Sequence, residues 1–464
     1  MTSAGQRLTL CTLVPDDGQL LPGCLDSVRG VVDEVVVVLC GPGERMLEVA
    51  GAWGAPIVRR AQADDLAAAR NAGLAAVRTG WVLVLDASER LAPGSGPALR
   101  AAMACGRIDC GELALHEADT LEAPAAEVVT GRARRAEPVL VPRLLRRTDD
   151  LAFEGIVAED LRAWMRAGRR IETLEADIIH YGAVPELPGS RERAQLRLRL
   201  LERRCAAEPA DPLVRALLAR ELLRAGDEAR GTEAARQAWR LLEAATPAQR
   251  AESDVVLVAT LHAFRSLAQG DLDRAAGVLA SACEWSETHP NLELLAGALM
   301  ESLALGGISA GEQSEALATA RAAYERCLDQ HGRPFRSQPL PGATSWAART
   351  RLATVDLICG RPDEALAGFE LALASNPRLA EAHLGRIEAL LDLGMAAEAL
   401  QGLEPWLAAG SPDAWTLAAA AAAALGSAQD AVLFTERARD SSATLPWAGP
   451  HRRLRLQALA ALAA

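Results

Sequence analysis

The 464-residue chain contains no lysine, so all 49 of its basic residues are arginine. Set against 61 acidic residues they leave a formal net charge of −12. General phosphate-backbone binders work through a surplus of positive charge, so nucleic acid is not an expected partner, although a local basic patch is compatible with the total. Long apolar runs are also missing. A membrane-spanning helix needs about 20 consecutive apolar residues, and Ala418–Leu425 is far shorter, so no membrane span is expected. The nine cysteines form an odd set with no recurring metal-type spacing, and several lie inside apolar runs. They read as reduced, buried thiols of a reducing compartment. The opening residues Met1–Arg7 run into a strand-like segment and show no signal-peptide core. These absences together predict a cytoplasmic protein.

What is present implies more than one domain, because the length exceeds that of a single ordinary core. Half of the residues are apolar and 24% are charged, the balance of a folded chain with an interior to fill. Two patterns divide it. Over the first 187 residues short β-rich runs alternate with helical ones. Strands are expected at Leu8–Val14, Glu34–Cys40, Ile57–Arg59 and Trp81–Asp86, with helices near Gln19–Val28, Glu44–Trp53 and Asp65–Val77. Continuous apolar strands separated by helices imply a parallel sheet buried on both faces. The ligand site of such a sheet lies beyond the carboxyl ends of its strands.

From residue 188 onward helix follows helix. Gly270/Ala275, Gly360/Ala365, Gly394/Ala399 and Gly426/Ala431 share one offset, and Gly360 and Gly394 stand 34 residues apart, the tetratricopeptide period. Ala365 is followed by Phe369, Ala372 and Pro377, and Ala275 by Leu279, Ala282 and Pro290. Small alanines let paired helices approach closely, and proline ends the second helix before the next pair stacks. Arg220–Gly226 and Thr232–Leu242 read as a more divergent unit. The segment Pro334–Ala343 breaks the array as a loop, either a connector or an insertion at the binding face.

Several segments in order carry a family resemblance: Leu10–Asp17, Cys24–Val28, Val32–Val38, Asp64–Asn71, Trp81–Glu89, Arg143–Arg146, Phe153–Glu159 and Ile179–Gly182. Over about residues 7–185 the chain resembles the family 2, GT-A-fold glycosyltransferases that carry tetratricopeptide repeats. The resemblance implies an α/β GT-A domain (1–187) followed by an all-α tetratricopeptide-repeat superhelix (188–464). It also implies an inverting transferase that moves a sugar from a nucleotide-activated donor to an acceptor, with the repeats holding a peptide or protein.

The site residues follow from that resemblance. Asp16, Arg70, Asn71 and Asp86 would bind the donor. Asp86, Glu89 and His180 would hold a divalent cation, Mn or Mg, because hard cations prefer carboxylate oxygens and a cation neutralises the diphosphate. Glu159, or its neighbour Asp160, would take the acceptor's proton. Four positions depart from the family pattern: Leu39 replaces the acid that reads the nucleobase, Ser88 the second Asp of Asp-x-Asp, Ala158 a His, and Asp16 an Asn. The alternative implied by these departures is a catalytically inactive GT-A-like scaffold whose repeats mediate protein–protein binding.

Overall fold

The computed structural model describes residues 6–14, 18–40, 44–60, 64–184, 187, 189–306 and 308–440. By packing, the chain divides into two units: one runs through His262 and includes Gly332–Gln338, and the other holds Ala263–His331 and the residues from Pro339 onward. Strands end at residue 180 and long helices begin at 190, whereas the packing division lies much further along. Among the described residues no helix is long and apolar enough to cross a membrane.

The first unit opens with β1 (Leu8–Val14), α1 (Leu21–Ser27), β2 (Glu34–Cys40), α2 (Glu44–Ala52), β3 (Ile57–Arg60), α3 (Leu66–Ala76) and β4 (Trp81–Asp86). It continues through β5 (Glu89–Leu91), α4 (Gly96–Cys105), β6 (Cys110–Glu117), α5 (Ala125–Val129), β7 (Val139–Arg146), α6 (Arg162–Arg166) and β8 (Ile171–His180). Helices α7 (Ser190–Ala207), α8 (Pro212–Arg224), α9 (Glu228–Ala244), α10 (Pro247–Ala251) and most of α11 (Val255–Ala268) follow.

The eight strands form one sheet in the order β3-β2-β1-β4-β7-β6-β8-β5. The half β3-β2-β1-β4 is parallel, as the apolar runs predict. The other half is mixed: β7 runs antiparallel to both β4 and β6, β8 parallel to β6, and β5 antiparallel to β8. Strand alternation sends Leu8, Leu10 and Val14 to one face, where they pack with Leu21, Leu25 and Met46. Cys11 and Leu13 face the other side, among Ala69, Leu74, Phe153 and Trp164. Both faces are thus covered, which explains why these strands lack polar alternation. The segment Pro334–Ala343 is partly a strand extension: Phe335 bridges Val139, with Leu140 N donating to Phe335 O and Phe335 N to Pro138 O.

In the second unit lie α12 (Leu272–Trp285), α13 (Pro290–Ala304), α14 (Ala310–Leu328), α15 (Trp346–Ile358), α16 (Pro362–Ser375), α17 (Ala380–Asp392), α18 (Ala396–Ala408), α19 (Pro412–Ala424) and α20 (Ala428–Asp440). The turns α15–α16, α17–α18 and α19–α20 each contain a glycine with positive φ (Gly360, Gly394 and Gly426), a backbone shape that a side chain would strain. Within the pairs, large meets small. Phe369 packs so closely on Gly385 that a Cβ there would lie 2.4 Å from its ring, and Ala365, Ala372 and Ala382 are fully buried beside it. Pro377 follows the end of α16, as the repeat pattern predicts. Pro290 instead opens α13 at its first turn, five residues after α12 has ended, because a proline nitrogen is tolerated where helix donors have no partner anyway.

Candidate active site

The site forms where β1 and β4 end. A cavity of about 680 Å³ opens there, lined by Arg70, Asp86, Ser88, Arg143, Glu159 and His180, among others. Asp86 is the last residue of β4 and His180 the last of β8, so the sheet presents both at its edge. Arg70 comes from α3, whose start is fixed by Asp65: its carboxylate caps the helix by accepting from Ala68 N at 2.8 Å.

Glu159 arrives on a closed loop. Glu154 and Asp160 exchange two backbone hydrogen bonds of 3.0 Å, which pinch the loop at its base. Helix α3 holds it from one side, through Leu66 N to Ile156 O and through Asn71, whose amide donates to Phe153 O and accepts from Phe153 N. From the other side the buried Arg204 of α7 donates to the carbonyls of Val157 and Ala158 at 2.8 and 2.7 Å. Ala158, with φ +48°, is the only non-glycine residue of left-handed backbone among the described residues, and it directly precedes Glu159. A strained residue held by its surroundings is a common feature of functional loops.

The centre of the site is an ion-pair chain. Arg70 Nε lies 2.5 Å from Glu159 Oε1, and its Nη2 lies 2.7 Å from Asp86 Oδ1. Burial works against the Arg70 charge, but Asp86 and Glu159 outweigh it and raise the guanidinium above its ordinary value. Burial likewise pushes Asp86 up, yet Arg70, Arg143 and His180 together hold it below the usual carboxylate range. Below Asp86, Glu89 accepts from the Asp86 amide through Oε2 and from Arg143 Nη2 through Oε1. His180 pairs in register with Glu89 across β5 and β8. Its Nε2 and the Ser88 hydroxyl close in on Gly182, where a Cβ would sit 2.5 and 2.8 Å from them.

Asp86, Glu159, Arg70 and His180 are therefore brought together, with Glu89 directly beside them, while Asn71 and Asp160 turn away. Asn71 turns to the Phe153 backbone and does not line the cavity. Asp160 faces away from Glu159, bound to Arg162 and Arg204. Asp16 lies outside the described residues. A divalent cation does not fit the side chains present. Both Glu89 oxygens and one Asp86 oxygen are engaged by protein donors, Ser88 offers a hydroxyl in place of a carboxylate, and no group of three or more candidate ligands assembles among the described residues. Burial pushes the Cys11 and Cys24 thiols up to about 12, which keeps both protonated.

Arg143 stood out in the sequence only within the block Arg143–Arg146, and Arg197, Arg204 and Arg224 did not stand out as site residues. For Arg197 and Arg204 a signal existed, since α7 carries six arginines against two glutamates.

Residues 16–134 match the model of glycosyl transferase family 2. A TPR repeat-containing protein of Synechococcus elongatus is 30% identical over 281 residues, which is 59% of this chain and 65% of that protein's length. Among solved structures, a tetratricopeptide repeat protein from Parabacteroides merdae superposes with a TM-score of 0.39 at 16% identity, covering 59% of this chain and 93% of its own. S. aureus TarS 1–349 superposes with a TM-score of 0.34 at 15% identity, covering 61% and 93%. The match to glycosyl transferase family 2 thus falls on residues 16–134, within a mixed-sheet α/β domain of GT-A-like fold that is followed by an all-α region.

Proposed function

We propose that the cavity at the end of β1 and β4 binds a nucleotide-diphosphate sugar and transfers its sugar, with inversion, to an acceptor presented by the helical repeats. The observation that carries this reading is the convergence of Asp86, Glu159 and His180, distant in the chain, on one cavity. Glu159 would take the proton of the acceptor O–H or N–H. The acceptor atom would then bond to the anomeric carbon as that carbon's bond to the diphosphate oxygen breaks, the electron pair leaving with the diphosphate. Arg70 orients Glu159 through Oε1, and the cavity is large enough for a ligand of nucleotide size. Arg204 acts through the loop as a positioning residue. A peptide or protein acceptor suits the repeats, since stacked helix pairs offer long concave surfaces.

The test is a screen of nucleotide sugars with the purified full chain, reading release of the nucleoside diphosphate in the presence and absence of peptide. One donor should turn over, and Glu159→Gln should abolish turnover while leaving donor binding in place. A second reading, an inactive scaffold, is favoured by Leu39, which is buried at the end of β2 where an acid would read the base, and by the engagement of both site carboxylates by Arg70. A folded chain that turns over none of the donors, yet captures a defined protein through its repeats, would establish that alternative.

A further inference from the structure

Among the described residues a divalent cation has no ligand set here, but the same cavity contains positive charge that the transfer step leaves unused. Arg197 on α7 and Arg224 at the end of α8 line it together with Arg143 of β7. One carboxylate serves three guanidiniums: Glu221 Oε1 lies 3.2 Å from Arg224 Nη1, 3.4 Å from Arg197 Nε and 3.6 Å from Arg220 Nε. The Nε atoms of Arg197 and Arg220 are buried and make no hydrogen bond. Burial, then the neighbouring Arg224 and Arg197, bring Arg220 down to about 10 against the opposing pull of Glu221 and Asp254. Arg143 gives Nη2 to Glu89, and its own Nε is buried without a partner. The whole chain carries a net charge of −12, so the arginines at this cavity run against the overall balance.

Planar guanidinium forks match phosphate oxygens in pairs and carry a permanent charge. We propose that Arg143, Arg197 and Arg224 bind the diphosphate of the donor directly, so that donor binding needs no divalent cation. The proposal rests on the transferase reading for the identity of the ligand, but its chemistry concerns the diphosphate alone. It also makes α7 and α8 part of the donor site.

The experiment is isothermal titration of inorganic pyrophosphate, and separately of UDP and GDP, into the full chain, in excess EDTA and in excess manganese. Pyrophosphate and at least one nucleotide should bind with affinities that agree to within about twofold between the two conditions. The double variant R197Q/R224Q should lose about tenfold to a hundredfold, as expected for two charge-assisted contacts. Arg203→Gln, on an exposed position of the same helix, should bind like the wild type. Both Arg197 and Arg224 have solvent-accessible side chains, so the double variant should fold, and the EDTA comparison needs no variant at all. Binding that requires manganese, or that survives R197Q/R224Q unchanged, would overturn the proposal. Metal-free binding without sugar transfer would keep it and remove the transferase reading; metal-dependent binding with transfer would do the reverse. No binding in either condition removes both.

Discussion

Each unit of the molecule buries an arginine between two acids, and the two sites behave in opposite ways. In the first, Arg70 joins Asp86 and Glu159 at 2.7 and 2.5 Å. In the second, Arg351 lies 3.5 Å from Glu301 and 3.3 Å from Glu381, and Tyr324 Oη donates to Glu301 at 2.5 Å. The Asp86 side chain is 32% exposed and faces a cavity, whereas Glu301 is fully buried in packed helices. The titrations diverge accordingly. Cations win over burial at Asp86 and lower it, while at Glu301 burial wins over Arg351 and Tyr324 and raises it. Buried charge alone therefore does not mark a site. The proposed site differs by its open side and the arginines lining the cavity, whereas the network around Arg351 is closed among packed helices.

The largest expected effect separates the two acids. Glu159→Gln should lower sugar transfer by about 10²- to 10⁴-fold, the usual worth of a general base, whereas Glu301→Gln should leave the transfer rate unchanged. Equal losses in steady-state assays would break the comparison.

Next come the two arginines. Arg70→Met and Arg351→Met each leave one buried acid, Glu159 or Glu301, without its arginine, and each should cost about 3–5 kcal/mol. Hydrogen exchange should locate the loss in β1, β4 and the loop 154–160 for Arg70→Met, and in α13–α17 for Arg351→Met. A loss spread evenly over both units for either variant would contradict the assignment.

A third, smaller effect is a difference of sign with pH. Asp86, lowered in the folded state, contributes stability above its ordinary value of 3.8 that is lost as pH falls through the lower folded value. Denaturant unfolding of Asp86→Asn against wild type should give a constant difference above pH 3.8 that shrinks below it. Glu301, raised in the folded state, makes the fold bind its proton more tightly, so stability rises as pH falls through that raised value and levels off near 4.5. Wild type should therefore gain on Glu301→Gln across that window. The smallest effect concerns Gly182→Ala, whose methyl group would displace His180 and Ser88. Donor binding should weaken by about tenfold, with little change in melting temperature.

The sequence made part of this comparison legible. β1, β2 and β4 begin and end where the apolar runs do, because burial on both faces leaves no polar alternation to blur their limits. β8, with half-buried and exposed residues mixed along it, gave no such signal, nor did the three-residue β5. The mixed half of the sheet was therefore not foreseen. Asp86, Glu159 and His180 converge as the strand-end rule and the family resemblance imply. Their neighbours do not, because one step along a helix or past a strained residue redirects a side chain: Asn71 turns from Arg70 to Phe153, and Asp160 from Glu159 to Arg204. The change from strands to helices near residue 187 was also legible. That α7 and α8 belong to the sheet's unit was not, since periodicity reports which face of a helix is buried and not what covers it.

The most direct measurement is titration of a panel of nucleotide sugars into the full chain and into Asp86→Ala, with circular dichroism to establish that both are folded. The account predicts that at least one donor binds the wild type and fails to bind Asp86→Ala. Donor binding of equal strength to both proteins, or none to either, would contradict it.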